Sequence, residues 1–168
     1  MTRRRPITYA MTHRSTLPFL AATLALAVPA PATAAGRHDR VERSVIRHIN
    51  AVRHANGLAS VRPWRALRRA AEEHSRDMAR ANFFDHPSSD GTPFDVRVRR
   101  YVGSRPLGET LAALSGGGQA ARVVQMWMDS PPHRAIMLDA RFRKVGVGRR
   151  WGTMDGDGYA VVTADFAR

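Results

Sequence analysis

Two histidines and one glutamate stand where this sequence could place chemistry. His86 follows an aromatic pair and precedes a Pro/Ser/Asp/Gly turn, and His133 follows Ser130 and two prolines. Each histidine therefore comes just after a helical pattern, where loops commonly carry function. Glu109 lies in the segment GET beside an otherwise apolar stretch. A carboxylate buried there would be costly without a partner, and a histidine is a suitable one.

These residue types are compatible with three roles. Two imidazoles and a carboxylate can hold a divalent cation such as zinc. The same groups can act as a general acid and base with an orienting partner. They can also form a hydrogen-bonded cluster that only locks loops together. Catalytic roles are therefore unassigned, with His86, Glu109 and His133 as the candidates, and His86 and His133 are the candidate metal ligands. No two histidines are four apart on one helix with a glutamate between them, so the spacing is not that of a zinc protease.

Ser130 precedes His133 by three residues, which raises the question of a serine hydrolase. Such an enzyme needs a strained elbow and an oxyanion hole, and WMDSPPHR lacks the glycines that build them. Capping at a helix end explains Ser130 better. The segment DGDG at 155–158 resembles the start of a calcium loop but lacks the distal glutamate, so it predicts a hairpin turn.

The other histidines are expected to have no part in the site. Three are predicted to be solvated, because they lie at polar positions of the first helix or before it: His38, His48 and His54. His74 shares the apolar stripe of the second helix and is predicted to be a buried, hydrogen-bonded histidine. Glu72 is expected to be exposed, so Glu109→Leu should be tolerated less well than Glu72→Leu.

Helical patterns come before strand patterns along the chain. Apolar residues recur at spacings of three and four over residues 39–55, 64–81 and 119–129. Pro93 can open a short helical turn through Arg99, and HRAIML is a short helix or turn. LGETLAAL at 107–114 is compatible with either strand or helix, whereas 145–148 and 159–166 are predicted strands. This order predicts an α+β fold with helices packed on a small sheet.

Residues 1–35 have the pattern of a secretory signal peptide. From Met11, a second potential start, a cationic stretch leads into an apolar run that is too short to span a bilayer. Small residues follow, so cleavage is expected after Ala34 or Ala35. A short segment, 36–43, would then precede a single domain over 44–168. We expect a secreted monomer without a transmembrane anchor after cleavage.

The charge and the absence of cysteine narrow the range of partners. The chain has 27 basic and 14 acidic residues, and it contains no cysteine, which excludes thiol catalysis and cysteine-ligated zinc. The arginines are scattered in pairs rather than gathered in one stripe. Nucleic acid is therefore not the expected partner, and an anionic cell-envelope surface remains a candidate.

Five segments in order carry a family resemblance: AAEEHSRDMARANFFDH, DGTPFDVR, GET, WMDSPPHRAIML and FRKVGVG. They resemble the bacterial branch of the CAP superfamily, which contains cysteine-rich secretory proteins, antigen 5 and pathogenesis-related class 1 proteins and is also called the SCP domain. The resemblance runs from about Ser44 to Phe166.

The resemblance implies a three-layer α-β-α sandwich with a small, mostly antiparallel central sheet and a shallow cleft. His86 matches the histidine of the F-x-H turn, Glu109 the glutamate of the G-E-N segment, and His133 the second histidine. Ser130 stands where eukaryotic members have a second glutamate, and Thr110 stands where the family usually has asparagine. Phe83 and Phe84 are expected to anchor the end of the second helix, so that His86 meets Glu109 and His133.

The resemblance leaves the activity open, because fold does not fix function. Family members are linked to sterol or lipid binding, to cell-wall or host interaction and in isolated cases to proteolysis, and some hold a divalent metal. We expect a secreted protein that binds a lipid or cell-envelope ligand through four residues: His86, Glu109, Ser130 and His133. No cofactor is required for that role. The alternatives are a metal-assisted hydrolase with zinc on the same residues and a basic module held on anionic polymers.

Overall fold

The computed structural model describes residues 39–117, 119–154 and 157–168. These residues contain five α-helices and four strands. The helices are α1 Arg40–Ala55, α2 Arg65–Ala81, α3 Phe94–Val102, α4 Ala120–Asp129 and α5 Pro131–Met137. The strands are β1 Arg62–Pro63, β2 Leu107–Leu114, β3 Lys144–Met154 and β4 Asp157–Ala167. The predicted signal peptide lies outside the described residues.

The two long helices have the ends that their sequences predict. A capping box opens α1, because Asp39 Oδ1 accepts a hydrogen bond from the Glu42 amide at 2.7 Å and Glu42 Oε2 accepts one from the Asp39 amide at 2.8 Å. Asn82 ends α2 in the left-handed conformation with φ 52°, which asparagine tolerates better than most residues.

The four strands form one sheet in the order β1-β3-β4-β2. β4 pairs antiparallel with both β3 and β2, whereas β1 pairs in parallel with β3 through only two residues. The sheet is therefore mostly antiparallel, as predicted, and LGETLAAL is a strand. Residues 155 and 156, on which half of the predicted hairpin turn falls, are outside the described residues.

Helices cover both faces of the sheet. Along β4, Val162, Ala164 and Phe166 join a core that includes α1, α4 and Met137 of α5. The alternate residues Val161 and Ala167 join the smaller cores beneath α2 and α3. The three-layer α-β-α sandwich is confirmed.

Glycines let α2 lie directly on the backbone of β3. A Cβ added at Gly146 would overlap the backbone of Leu67 and Arg68, and one at Gly148 would overlap that of Ala71 and Glu72. The VGVG segment is thus a strand with no side chains on the helix side at these two positions. The close approach brings α2 and the loop after it toward β2 and β4.

A buried arginine fastens two loops to α1. Arg53 is 0% exposed, and its guanidinium donates to the carbonyls of Ala59 at 2.9 Å, Met137 at 2.8 Å and Asp139 at 3.1 Å. A fourth donation, at 3.3 Å, goes to the carbonyl of Phe142. This arginine therefore holds the segment after α5 against the first helix.

Several predicted boundaries are wrong in detail. α3 continues to Val102 rather than ending at Arg99, α5 begins at Pro131 rather than His133, and β3 extends well past Gly148. Phe83 is partly buried against the core, but Phe84 is 44% exposed and belongs to none of the core clusters of the described residues. None of the helices in the described residues is long and apolar enough to cross a membrane.

The prediction that Glu72 is exposed is also wrong. Its side chain is only 18% exposed and pairs with Arg68 Nη1 at 2.9 Å and with Arg150. Arg68 lies one turn earlier on the same helix, whereas Arg150 comes from β3 and is far from Glu72 in sequence. Glu72 is therefore a poor reference for an exposed glutamate.

Candidate functional site

Glu109 is the buried centre of the candidate site. It lies on β2, is 1% exposed, and stands directly opposite Asp165 of β4. One carboxylate oxygen lies 2.9 Å from His86 Nδ1, and the other accepts a hydrogen bond from Arg97 Nη2 at 2.5 Å. Both oxygens are thus engaged by side chains from outside the sheet.

The loop between α2 and α3 carries His86 and is itself held by two hydrogen bonds at Asp85. The Asp85 carboxylate accepts a hydrogen bond from the His86 amide at 2.7 Å, and the Asp85 carbonyl accepts one from His74 Nε2 at 2.9 Å. His74 is fully buried, as predicted, and it positions the loop. The His86 ring packs edge-on against Phe94, with ring centroids 6.3 Å apart.

His133 reaches the same place from α5, which packs against β2. Its ring centroid lies 6.2 Å from that of His86. The structure therefore brings together His86, Glu109 and His133, which we call the His86 site. Ser130 joins α4 to α5, and its side chain makes no capping hydrogen bond.

Two further charged residues belong to this centre, and the sequence analysis missed both. Arg97 of α3 is 4% exposed and Asp165 is 0% exposed. Arg97 Nη1 lies 3.9 Å from Asp165 Oδ2, so one guanidinium faces both Asp165 and Glu109. Neither oxygen of Asp165 has a hydrogen-bond partner within the described residues.

Sequence signals for these two residues exist. Arg97 falls within the apolar stripe of α3, between Phe94 and Tyr101 at a spacing of three and four. Asp165 interrupts the apolar strand YAVVTADF, where an acid is costly to bury unless something compensates its charge. The argument that singled out Glu109 applies equally to Asp165.

The local environment gives the ionisable groups different proton affinities. Burial alone would raise the pKa of Glu109, but the hydrogen bond with His86 and the charge of Arg97 lower it. The hydrogen bond with Glu109 raises the pKa of His86 above 6.5. Burial, reinforced by the charge of His86, lowers the pKa of His133. Burial and the nearby Glu109 charge raise the pKa of Asp165 well above 3.8.

The His86 site can therefore offer a ligand two different imidazoles. His86 is fixed through Nδ1, which leaves Nε2 for a ligand, and its side chain is 44% exposed. His133 is half-buried and favours its neutral form. Such a pair of imidazoles can donate a hydrogen bond to one polar atom of a ligand and accept a hydrogen bond from another.

A zinc centre with three protein ligands does not fit this arrangement. Catalytic zinc sites usually take three protein ligands, and here Glu109 is already paired through both oxygens. Within the described residues, no three His, Cys, Asp or Glu side chains are grouped so that they could hold a metal ion. Zinc binding by the two histidines stays a prediction for titration.

The chain belongs to the CAP family, described as the cysteine-rich secretory protein family, whose profile matches residues 46–166. The bacterial relatives predicted from the motifs are present. Over 108 residues the chain is 34% identical to the uncharacterized protein YkwD of Bacillus subtilis strain 168, covering 64% of this chain and 41% of YkwD. It thus spans less than half of that relative.

Solved structures share the fold. An extracellular protein containing an SCP domain from Bacillus anthracis strain Ames is 25% identical with a TM-score of 0.63, and the match covers 76% of this chain and 40% of the other. An outer surface protein of Borrelia burgdorferi is 21% identical with a TM-score of 0.66, and that match covers 79% of this chain and 98% of the Borrelia protein. The latter likeness bears on the fold alone.

Proposed function

We propose that this CAP-domain protein acts outside the cytoplasm and binds a polar group of a cell-envelope or extracellular ligand at the His86 site. The observation that carries the proposal is the chain of side-chain hydrogen bonds that holds His86 in place. Arg97 fixes Glu109 and Glu109 fixes His86, at 2.5 Å and 2.9 Å respectively. A ligand then meets an imidazole whose orientation is already set, which reduces the entropy lost on binding.

Two further facts support an extracellular role. The related Bacillus anthracis protein is described as extracellular. After cleavage of residues 1–35, which contain four arginines and no acidic residue, 23 basic residues would face 14 acidic ones, and this excess favours contact with anionic envelope polymers and lipids. We propose that this binding needs no metal and that Ser130, three residues before His133, offers the ligand a further polar group.

Co-sedimentation with insoluble peptidoglycan and with phosphatidylcholine vesicles, with and without phosphatidylglycerol, tests the proposal. We expect His86→Ala/His133→Ala to lose binding to one of these materials, because it removes both imidazoles. His54→Ala is the matched control, since His54 is exposed on α1 and far from the site in sequence. Wild-type binding by the double variant would contradict the proposal.

Measurements on the same double variant separate the two alternatives, an electrostatic module and a metal-assisted hydrolase. Binding that falls steeply with salt but ignores the loss of both histidines would indicate a purely electrostatic module. Zinc-dependent cleavage of peptide or peptidoglycan bonds that the double variant lacks would favour the hydrolase. Zinc titration of both proteins measures directly whether the histidines take up metal.

A further inference from the structure

A polar cavity lies between α2, the loop after it and α3. Its volume is about 370 Å³, and its walls include Asp77 and Arg80 of α2, Ser88 of the loop, and Arg100 of α3. His86, Glu109 and His133 are absent from its lining. We call it the α2–α3 cavity.

Two buried side chains that line this cavity have polar atoms without hydrogen-bond partners in the described part of the chain. Arg97 is 4% exposed, and its Nε and Nη1 make no hydrogen bond there, although Nη1 lies 3.9 Å from Asp165 Oδ2. His74 is 0% exposed, and its Nδ1 is also unpaired. Buried polar groups in folded proteins are nearly always paired, so each such atom calls for an explanation. A bound polar molecule supplies one.

The charges around the cavity favour an anion. Its carboxylates already accept hydrogen bonds: Asp77 from the Ser89 hydroxyl at 2.7 Å, Asp90 from the Thr92 amide at 2.8 Å, and Glu73 from Tyr101. The guanidinium groups of Arg76, Arg80 and Arg100 join that of Arg97 in the lining. The unmet capacity of Arg97 is thus that of a donor, which calls for a ligand rich in acceptor oxygens. His74 donates through Nε2, so its Nδ1 is an acceptor that would meet a hydroxyl group of the same ligand.

We propose that the α2–α3 cavity binds a phosphate group, carried by a small polar phosphate ester or present as free phosphate. Several acceptor oxygens allow one phosphate to meet guanidinium groups from both α2 and α3, and arginine pairs with phosphate through two parallel hydrogen bonds. The cavity volume of about 370 Å³ lies in the range of small-molecule sites, which leaves room for a polar group beyond the phosphate.

Titration with glycerol 3-phosphate, inorganic phosphate and glycerol tests this site by calorimetry and by NMR of the Arg97 Nε–H resonance. We expect both phosphates to shift that resonance saturably and glycerol to leave it unmoved. Tighter binding of glycerol 3-phosphate would identify an ester as the ligand, and equal affinities would identify the free ion.

Arg100→Gln should weaken phosphate binding by about tenfold or more, because it removes one guanidinium from the outer wall without touching the partner of Glu109. Arg76→Gln is a second variant of the same kind. Arg47→Gln makes the same charge change at an exposed position of α1 and should bind as the wild type does. No saturable shift, unchanged affinity in both cavity variants, or an equal loss in Arg47→Gln would overturn the proposal.

Discussion

Glu109 keeps its negative charge in a buried position because cationic or donating groups meet both of its oxygens. Asp165 stands beside it without a hydrogen bond from the described residues, and its raised pKa lets it hold a proton to higher pH than an ordinary aspartate. The raised pKa of Asp165 thus reduces the repulsion between two adjacent buried carboxylates, and Glu109 orients His86. Replacing Glu109 should consequently alter His86 first.

NMR titration of Glu109→Gln should show this change. The hydrogen bond with Glu109 raises the pKa of His86 in the wild type. A glutamine cannot stabilise imidazolium as a carboxylate does, so we expect this pKa to fall in the variant. Because the folded-state pKa is raised, this contribution to stability is complete below the unfolded pKa and is lost as pH rises through the folded value. As pH rises from the unfolded to the folded pKa of His86, Glu109→Gln should therefore lose less free energy of unfolding than the wild type does.

Asp129→Asn is the appropriate control for this titration, since Asp129 is a carboxylate at the end of α4 that Glu109 and His86 do not contact. It should leave the His86 titration unchanged. A His86 pKa that is the same in wild type and Glu109→Gln would show that the 2.9 Å contact does not form in solution.

At the level of elements, the contact between α2 and β3 depends on the absence of side chains. We expect Gly148→Ala to lower the free energy of unfolding by about 1–3 kcal/mol or more, because the added methyl group overlaps the backbone of α2. Urea unfolding measures the loss. Gly158→Ala on β4 is a matched control, because its Cβ would meet nothing within 4 Å. Equal stabilities of the two variants would contradict direct packing of α2 on β3.

Periodicity predicted the elements that bury one clear face. It identified α1 and α2, because their apolar residues recur over four turns or more. It could not decide LGETLAAL, whose alanines and leucines favour a helix locally. Eight consecutive pairings with β4 make it a strand. The two-residue parallel strand β1 carries no pattern of its own, since only its pairing with β3 defines it.

The candidate site was predictable only in part for a similar reason. Family motifs identified His86, Glu109 and His133. The pairing of β2 with β4 places Asp165 opposite Glu109, and the packing of α3 brings Arg97 to both carboxylates. A charge inside an apolar pattern signals burial without naming its partner. That partner is distant in sequence, so the tertiary structure identifies it and local sequence patterns do not.

For the molecule as a whole, Arg53 links segments that are distant in sequence through its hydrogen bonds. We expect Arg53→Met to lower the free energy of unfolding by at least ~2 kcal/mol, because it leaves buried carbonyls without a donor. Arg47→Met is the control, on the same helix but exposed. Thermal and urea unfolding compare the two, and a pair of variants with equal stability would show that water replaces the guanidinium without cost.

The hydrogen bonds of Arg53 also bear on how the protein recovers from unfolding. The chain belongs to a family described by its cysteines and yet contains none. A disulfide needs an oxidant and the correct partner thiol to form, whereas the hydrogen bonds of Arg53 to backbone carbonyls need neither. Because the chain contains no cysteine, its refolding requires no disulfide formation.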